Sequence, residues 1–167
     1  MILFDLDGVL RDLTAGISQH LGRPFDPPSW NQDVLPGVDL CEYIDRHPSI
    51  LLSSPATEYV TALCYLEEVT GETPTIMTCQ PLPWILWTRE WIRKNVNASV
   101  IFCHSPQEKL ERLKPGDLLV EDYPGFACNG QIVMVDRPYN RHVQGCAARV
   151  GNVGELIAII REMVGRA

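Results

Sequence analysis

The sequence predicts an α/β protein with a Rossmann-like parallel sheet flanked by helices and a small helical cap inserted after the first strand. Short apolar runs alternate with longer segments whose apolar residues recur every three or four positions, and this alternation is typical of a parallel sheet with helices on both faces. The chain of 167 residues is long enough for one domain with a substantial core. The alternation is interrupted once, directly after the first apolar run.

Five apolar runs are predicted to be the strands of the sheet. Each is bounded by proline, glycine or polar residues, as expected for short buried strands. In chain order they are Met1–Asp5, Thr75–Thr78, Ser99–Cys103, Asp117–Val120 and Gln131–Val135.

Four segments with helical periodicity follow these runs. They are Ala56–Val69, Trp84–Val96, Gln107–Leu113 and Val153–Val164. The second segment aligns Trp84, Trp87 and Trp91 on one face. We interpret this stripe first as core packing and second as a platform for a ligand.

The interruption covers about residues 11–54, is rich in proline and contains two helix-like pieces, Thr14–Leu21 and Val38–Arg46. An insertion after the first strand would lie over the carboxyl ends of the strands, where ligands bind in such folds. We therefore predict a single domain with a core of residues 1–12 and 55–167 and a cap of about residues 13–54. An irregular structural insertion is the alternative.

Composition and charge argue against several classes of protein. A net charge of −7 disfavours a nucleic-acid polymer as partner, and the absence of a long apolar run disfavours a membrane span. Met1 is followed at once by Ile2 and Leu3 without a basic leader, so we expect a cytoplasmic protein rather than a secreted one. A homodimer remains open.

The cysteines contain no C-x-x-C pair, which argues against zinc knuckles and thioredoxin-like motifs. We expect reduced thiols that are mostly small core residues. They are Cys41, Cys64, Cys79, Cys103, Cys128 and Cys146.

The strongest chemical signal is the segment 4–10, FDLDGVL, at the end of the first apolar run. Asp5 and Asp7 are separated by one residue and followed by Gly8, which suits a sharp turn that aims both carboxylates at one point. Such a pair can supply a nucleophile and an acid/base, and the first carboxylate can also bind a hard cation. A solvated turn in which an aspartate bonds the backbone is the structural alternative.

This D-x-D-G-x-L segment resembles motif I of the haloacid-dehalogenase-like superfamily, and further motifs follow in the same order. Thr78 ends an apolar strand and resembles the hydroxyl residue of motif II. Lys109, after the strand that ends at Cys103, resembles the lysine of motif III, with Lys114 as a competitor. Glu121 and Asp122 end the next strand and resemble the acidic pair of motif IV. Adjacent acids at a strand end are uncommon without a cation, because like charges repel.

Over the whole chain the sequence is most similar to the 5′(3′)-deoxyribonucleotidase branch of that superfamily. The similarity is carried by segment 78–82, the tryptophan-rich helix, segment 117–122 and segment 140–142. Two features depart from this branch. Gln80 stands where a small polar loop residue is expected, and the Glu-Asp form of motif IV is similar to that of phosphoglucomutase-like members.

The resemblance implies a Mg²⁺-dependent phosphomonoesterase that forms an aspartyl-phosphate. Asp5 would be the nucleophile and Asp7 the acid/base, while Thr78 and Lys109 would hold the phosphoryl oxygens. Mg²⁺ would be bound by Asp5, the backbone carbonyl of Asp7 and Asp122, with Glu121 acting through water. The presence of Asp7 favours phosphate chemistry over dehalogenation, because a dehalogenase needs no leaving-group acid there.

The expected substrate is a small phosphorylated molecule, a nucleoside monophosphate in the first interpretation. Phe25, Trp30 and Leu13 could line a base pocket or form the core of the cap. A phosphatase or phosphotransferase acting on sugar or other small metabolite phosphates is the second interpretation. A non-catalytic binding or regulatory protein that retains the fold is the third.

The spacing of residues excludes other known types of nucleophilic site. No cysteine is followed six positions later by arginine, and the sequence has neither a G-x-S-x-G elbow nor a Gly-Lys phosphate loop. The histidines, including His142 in a late loop, lack the spacing of a metal site.

Overall fold

The structure is a computed structural model that describes residues 1–29, 32–126 and 130–165. Within these residues one sheet contains six parallel strands. They are β1 (Ile2–Phe4), β2 (Thr75–Cys79), β3 (Ser99–Cys103), β4 (Leu118–Glu121), β5 (Ile132–Val135) and β6 (Ala148–Val150). Their spatial order is β3-β2-β1-β4-β5-β6, with every neighbouring pair parallel. The predicted parallel α/β sheet is confirmed.

The strand order reverses beside β1, which lies between β2 and β4. Phe4 is opposite Ile76 on one side and opposite Val120 on the other. The residues that follow each of these strands therefore emerge at one edge of the sheet. This edge includes the reversal point, where α/β folds of this kind bind their ligands.

Seven α-helices in the described ranges accompany the sheet. They are α1 (Leu13–Leu21), α2 (Leu40–Arg46), α3 (Ser49–Ser53), α4 (Val60–Thr70), α5 (Ile85–Asn95), α6 (Pro106–Glu111) and α7 (Val153–Val164). Residues of α4, α5, α6 and α7 pack on the two faces of the sheet. The bounds of α7 match the prediction. The segment predicted from Ala56 begins its α-helix only at Val60, and the segment predicted from Trp84 begins with a 3-10 turn at Leu82–Trp84.

Among the described residues, one α-helix and one strand were not predicted. Helix α3 has five residues and β6 has three, so neither is long enough to display a period. Arg149, at the centre of β6, also breaks the apolar run on which a strand prediction depends.

Alternate residues of the strands pack on opposite faces of the sheet. Leu3, Met77 and Leu119 belong to one hydrophobic cluster, whereas Phe4, Ile76 and Val120 belong to a second cluster that includes residues of α4 and α7. Both faces are therefore buried, which explains why the strands are almost continuously apolar.

Residues 13–54 contribute a third hydrophobic cluster of their own. It contains Leu13, Ile17, Phe25 and Ile44, and it also contains Trp84 from the start of α5. The chain enters and leaves this segment through adjacent backbone hydrogen bonds, since Asp12 N–H donates to the carbonyl of Pro55 at 2.8 Å and Thr57 N–H to that of Leu10 at 2.9 Å. The assignment of this segment as a cap remains a prediction.

The tryptophans do pack in apolar interiors, but in two different ones. Trp91 is fully buried in the main core, whereas Trp84 is buried in the cluster of residues 13–54 and Trp87 packs partly against it. The expectation that most cysteines are small core residues fails for Cys41 and Cys64, which are exposed. Cys103 is buried in a core cluster, and Cys79 and Cys146 are half-buried and pack against the same cluster.

Cys41, Cys64, Cys79 and Cys103 are free thiols. Every helix in the part of the chain that the structure describes is too short or too polar to cross a lipid bilayer.

Candidate active site

Asp5 and Asp7 lie at the carboxyl end of β1, at the bottom of a cleft of about 740 Å³. Gly8 has a φ of +79°, a backbone conformation that side chains disfavour. A Cβ atom at Gly8 would also lie 1.8 Å from Oδ2 of Asp122. Glycine is therefore required here, because it lets the turn after β1 approach the acidic end of β4.

Lys109 is buried and contacts two carboxylates. Its Nζ donates to Oδ1 of Asp5 at 2.5 Å and to Oε2 of Glu121 at 2.5 Å. Burial alone would lower the pKa of Lys109, but the negative charges of Asp5 and Glu121 outweigh it and raise the pKa. Lys109 therefore carries a positive charge at the base of the cleft.

Glu121 is held by three donors. Its Oε1 accepts from the backbone N–H groups of Asp122 at 3.0 Å and Tyr123 at 3.1 Å, while Oε2 accepts from Lys109. This arrangement fixes the Glu121 carboxylate and directs the Lys109 ammonium group towards Asp5.

Asp122 is buried and is anchored by the loop that follows β5. Tyr139 donates its hydroxyl to Oδ2 of Asp122, and the side-chain amide of Asn140 donates to the Asp122 carbonyl at 2.8 Å. Oδ1 of Asp122 has no hydrogen-bond partner among the described residues. A buried carboxylate oxygen without a partner is costly, so Oδ1 is suited to bind a cation.

One oxygen each from Asp5, Glu121 and Asp122 lie within 4.8 Å of one another. Burial, followed by the charge of Glu121, raises the pKa of Asp5 to about 7, and the same causes raise the pKa of Asp122. Asp5 and Asp122 therefore resist ionisation in the absence of a metal ion, even though Lys109 contacts Asp5. Hard oxygen ligands with excess negative charge fit Mg²⁺.

The carboxylate of Asp7 is held by a separate set of donors. Arg11 donates from Nε to Oδ1 at 2.6 Å and from Nη2 to Oδ2 at 2.9 Å, and Gln80 Nε2 donates to Oδ2 at 2.7 Å. Asp7 is 19% exposed and lines the cleft. Its carboxylate can therefore meet a bound molecule.

Thr78 is buried near the end of β2 and lines the same cleft. Its hydroxyl accepts from Gln80 Nε2 at 3.1 Å. The structure thus brings all six predicted site residues to one edge of the sheet. They are Asp5, Asp7, Thr78, Lys109, Glu121 and Asp122.

Part of the described segments 12–29 and 32–41 also lines the cleft and forms an acidic wall. Asp12, Asp26 and Asp39 line it together with the apolar Leu13 and Leu40. Of the cleft-lining residues that the structure describes, the cationic ones are Lys109 and Arg137. Arg137 donates from Nε to the carbonyl of Gly8 at 3.0 Å, so it also supports the turn after Asp7.

Several candidates from the sequence lie elsewhere. Phe25 is buried in the cluster of residues 13–54 and does not line the cleft, which removes it as a base-stacking residue. Trp30 lies outside the described residues. Lys114 is exposed and precedes β4, so it lies at the amino edge of the sheet, and His142 is exposed.

Sequence reasoning missed the residues that surround the predicted ones. Arg11, Thr88 and Tyr139 gave no signal, because isolated arginine, threonine and tyrosine residues are common in any chain. Gln80 did give one, since it departs from the residue expected after motif II. Asn140 lies in a segment that carried the resemblance, but its contact with Asp122 could not be inferred from the sequence.

The chain was compared with known proteins. A scan against models of protein families finds no match, and no curated protein sequence matches. A solved structure from Thermotoga maritima, of a protein provisionally assigned as a beta-phosphoglucomutase, is similar with a TM-score of 0.57 and 17% sequence identity. The similarity covers 96% of this chain and 98% of that one. At this identity the similarity supports the fold alone, an α/β fold with a parallel sheet flanked by helices, as predicted.

Proposed function

We propose that this protein is a Mg²⁺-dependent phosphomonoesterase with Asp5 as nucleophile and Asp7 as acid/base. The observation that carries the proposal is the buried contact of Lys109 with both Asp5 and Glu121, beside an Asp122 oxygen that has no partner among the described residues. An acidic cluster with a buried lysine at the bottom of an open cleft suits the transfer of a negatively charged phosphoryl group.

In the first half-reaction a carboxylate oxygen of Asp5 attacks the phosphorus atom and the bond to the leaving oxygen breaks. Asp7 gives a proton to that oxygen, and an alcohol leaves. The product is an acyl phosphate on Asp5. Lys109 and the Thr78 hydroxyl stabilise the phosphoryl oxygens by charge and hydrogen bonding.

In the second half-reaction a water molecule attacks the same phosphorus atom. Asp7 takes a proton from this water while the bond between phosphorus and the Asp5 oxygen breaks. Inorganic phosphate and the free Asp5 carboxylate are the products, so Asp7 ends with the proton it had at the start.

Mg²⁺ would be held by Asp5, Asp122 and the backbone carbonyl of Asp7. Glu121 would contact the ion through water, and its carboxylate also orients Lys109. When bound, the ion supplies positive charge that offsets the repulsion between the carboxylates and the incoming phosphate. An unscreened pair of like charges about 4 Å apart costs on the order of 4 kcal/mol at an effective dielectric constant of 20. Lys109 alone offsets only part of this repulsion.

The proposed substrate is a nucleoside monophosphate. A cleft of about 740 Å³ can accommodate a mononucleotide, and the rings of Trp84, Tyr123 and Phe126 line it. Aromatic rings that stack on a base contribute about 1–3 kcal/mol in nucleic-acid sites. The acidic wall formed by Asp12, Asp26 and Asp39 favours one phosphate at the catalytic end and disfavours a second anionic group beyond it.

A sugar phosphate is the second candidate, acted on by hydrolysis or by transfer to another acceptor. The Thermotoga maritima protein with a similar fold is provisionally assigned as a beta-phosphoglucomutase, and the Glu121-Asp122 pair is similar to that of phosphoglucomutase-like proteins. The acidic side chains on the far wall could bind sugar hydroxyls, which are hydrogen-bond donors.

A substrate panel tests the proposal. Release of inorganic phosphate is measured with Mg²⁺ for 5′- and 3′-nucleotides, sugar phosphates, phosphoamino acids and an aryl phosphate. We expect nucleoside monophosphates to have the highest kcat/KM and nucleoside diphosphates to be poor substrates. The Asp5→Asn protein is the control for a contaminating phosphatase.

The outcomes separate the alternatives. A preference of more than about tenfold for a sugar phosphate, equivalent to about 1.4 kcal/mol of transition-state binding, would keep the phosphatase assignment and replace the substrate. Absence of phosphate release from every compound, the aryl phosphate included, would favour a non-catalytic protein.

A further inference from the structure

Arg11 is a charged side chain inside the protein. Its side chain is 0% exposed and donates to both carboxylate oxygens of Asp7, at 2.6 and 2.9 Å. A two-bond arginine–carboxylate pair fixes the plane of the carboxylate as well as its distance. Asp7 therefore cannot rotate about its last side-chain bond without breaking both contacts.

The guanidinium group is itself held from other directions. Its Nη1 donates to the carbonyl of Leu51 in α3 at 2.9 Å, and its carbon atom lies 5.7 Å from the centre of the Trp91 ring. Weaker contacts of 3.4 and 3.5 Å join it to the Thr88 hydroxyl. Its position is thus set by the core and by α3, independently of Asp7.

Gln80 supplies a third donor to Asp7. Its Nε2 donates to Oδ2 of Asp7 at 2.7 Å, and its carbonyl oxygen accepts from the Thr88 hydroxyl at 3.1 Å. Gln80 is buried, so this contact is also fixed. A carboxylate has about four acceptor sites, so the three donors leave about one acceptor site on Asp7 for a proton in transfer. Asp7 lines the cleft, where a substrate can reach this site.

We propose that Arg11, together with Gln80, is a positioning residue that holds the Asp7 carboxylate in the orientation needed for proton transfer to the leaving oxygen. This inference rests on the proposed function. A purely structural ion pair is the simpler explanation. That explanation does not account for two observations. Asp7 lines the cleft and accepts three hydrogen bonds from Arg11 and Gln80. Arg11 is fully buried, and its position is fixed by groups other than Asp7.

The leaving group provides a test that loss of stability would not mimic. An alkyl phosphate needs a proton on its leaving oxygen, whereas an activated aryl phosphate does not. In Arg11→Met we expect kcat on the alkyl phosphate to fall about 10²-fold, the size of effect that follows from a misplaced catalytic group. For the aryl phosphate we expect a loss of no more than about threefold, because proton transfer contributes little there.

Matched variants help to interpret the difference between the losses of kcat on the alkyl and the aryl phosphate. Arg11→Lys keeps the charge but loses the two-bond geometry, so it should restore part of the alkyl phosphate activity. Thr88→Val removes the hydroxyl between Arg11 and Gln80 and should cause a smaller loss with the same preference. Arg93→Met removes an exposed arginine that pairs with Glu90 on α5 and should leave both activities unchanged.

A double-mutant cycle asks whether Arg11 acts through Asp7. If it does, Arg11→Met in an Asp7→Asn background should cause little further loss on the alkyl phosphate, because residues that act as one unit are not additive. Equal losses in the two backgrounds would overturn the inference. So would an Arg11→Met protein that loses alkyl and aryl activity by the same factor while remaining folded.

A crystal structure of Arg11→Met, or of Thr88→Val if the first variant does not fold, gives a test without activity. We expect the Asp7 carboxylate to be rotated from its wild-type orientation, and an unmoved carboxylate would overturn the inference. If the wild-type protein hydrolyses no phosphate ester, the proposed function fails. The crystal structure then still decides whether Arg11 holds Asp7 in place.

Discussion

Lys109 donates a hydrogen bond of 2.5 Å to Asp5, although 104 positions separate the two residues along the chain. The contact exists because Asp5 follows β1 and α6 carries Lys109 back over the same edge of the sheet. Glu121, which also accepts from Lys109, belongs to β4 on the other side of β1. The Lys109 ammonium group therefore links the acid that follows β1 to the acid that ends β4.

Lys109→Met should reduce kcat at least about 10²-fold, the scale of losing one preorganised charge at a phosphoryl group. It should also weaken the fold, because Asp5 and Glu121 would lose their shared cation. Lys114→Met is the matched control. Lys114 is exposed at the opposite edge of the sheet, so Lys114→Met should keep wild-type turnover. If Lys114→Met reduces kcat more than Lys109→Met does, the alignment of motif III is wrong.

Asp5→Asn should abolish turnover on alkyl and aryl phosphates alike, since an amide of the same shape cannot attack phosphorus. The fold should persist, because Lys109 keeps its contact with Glu121. Phosphate release and circular dichroism are the measurements. Residual activity above that of an extract prepared without the protein would exclude Asp5 as the nucleophile.

Mg²⁺ binding should depend more on Asp122 than on Glu121. Oδ1 of Asp122 has no partner among the described residues, whereas both oxygens of Glu121 already accept hydrogen bonds. Calorimetric titration of each alanine variant with Mg²⁺ measures this order. A larger loss of Mg²⁺ affinity in Glu121→Ala than in Asp122→Ala would reverse our assignment of the ligands.

We also expect a chelator to abolish activity and Mg²⁺ to restore it. Ca²⁺ should inhibit, because it does not impose compact octahedral coordination.

The metal-free protein should lose stability between about pH 4 and pH 7. Burial, followed by the charge of Glu121, raises the pKa of Asp5 from its unfolded value of 3.8 to about 7. The folded state therefore binds more protons than the unfolded state in this window. The contribution of Asp5 to the free energy of unfolding is fully present below the lower pKa and is lost as pH rises through the higher one.

Thermal unfolding with chelator at pH 5.5 and pH 8 measures this loss, and Mg²⁺ should restore stability at pH 8. Asp122→Asn removes one ionisable carboxyl group from the cluster and should raise the metal-free Tm at pH 8. Each kcal/mol of relieved repulsion raises Tm by roughly 2–4 °C in a protein of this size. Glu72→Gln, at an exposed acid outside the cluster, is the control and should keep the wild-type pH dependence. A metal-free Tm that rises towards pH 8 would contradict the prediction.

The strands were predictable because their burial on both faces makes each one a continuous apolar run. The candidate site residues were predictable for a related reason. Parallel strands end at a common edge, so Asp5, Thr78 and the Glu121-Asp122 pair had to approach one another once the order of elements was known. Lys109 needed the resemblance as well, because a lysine early in a helix has no periodic signature of its own.

The sequence by itself therefore determined the fold class and the acids that end β1 and β4, since strand burial and strand ends are local properties of the chain. Tertiary structure decided the partners of those acids. Arg11 and Gln80 on Asp7, Tyr139 on Asp122, and the burial of Phe25 away from the cleft all depend on contacts between distant segments. Such contacts leave no period in the sequence, because they are set by how helices and loops pack across the end of the sheet.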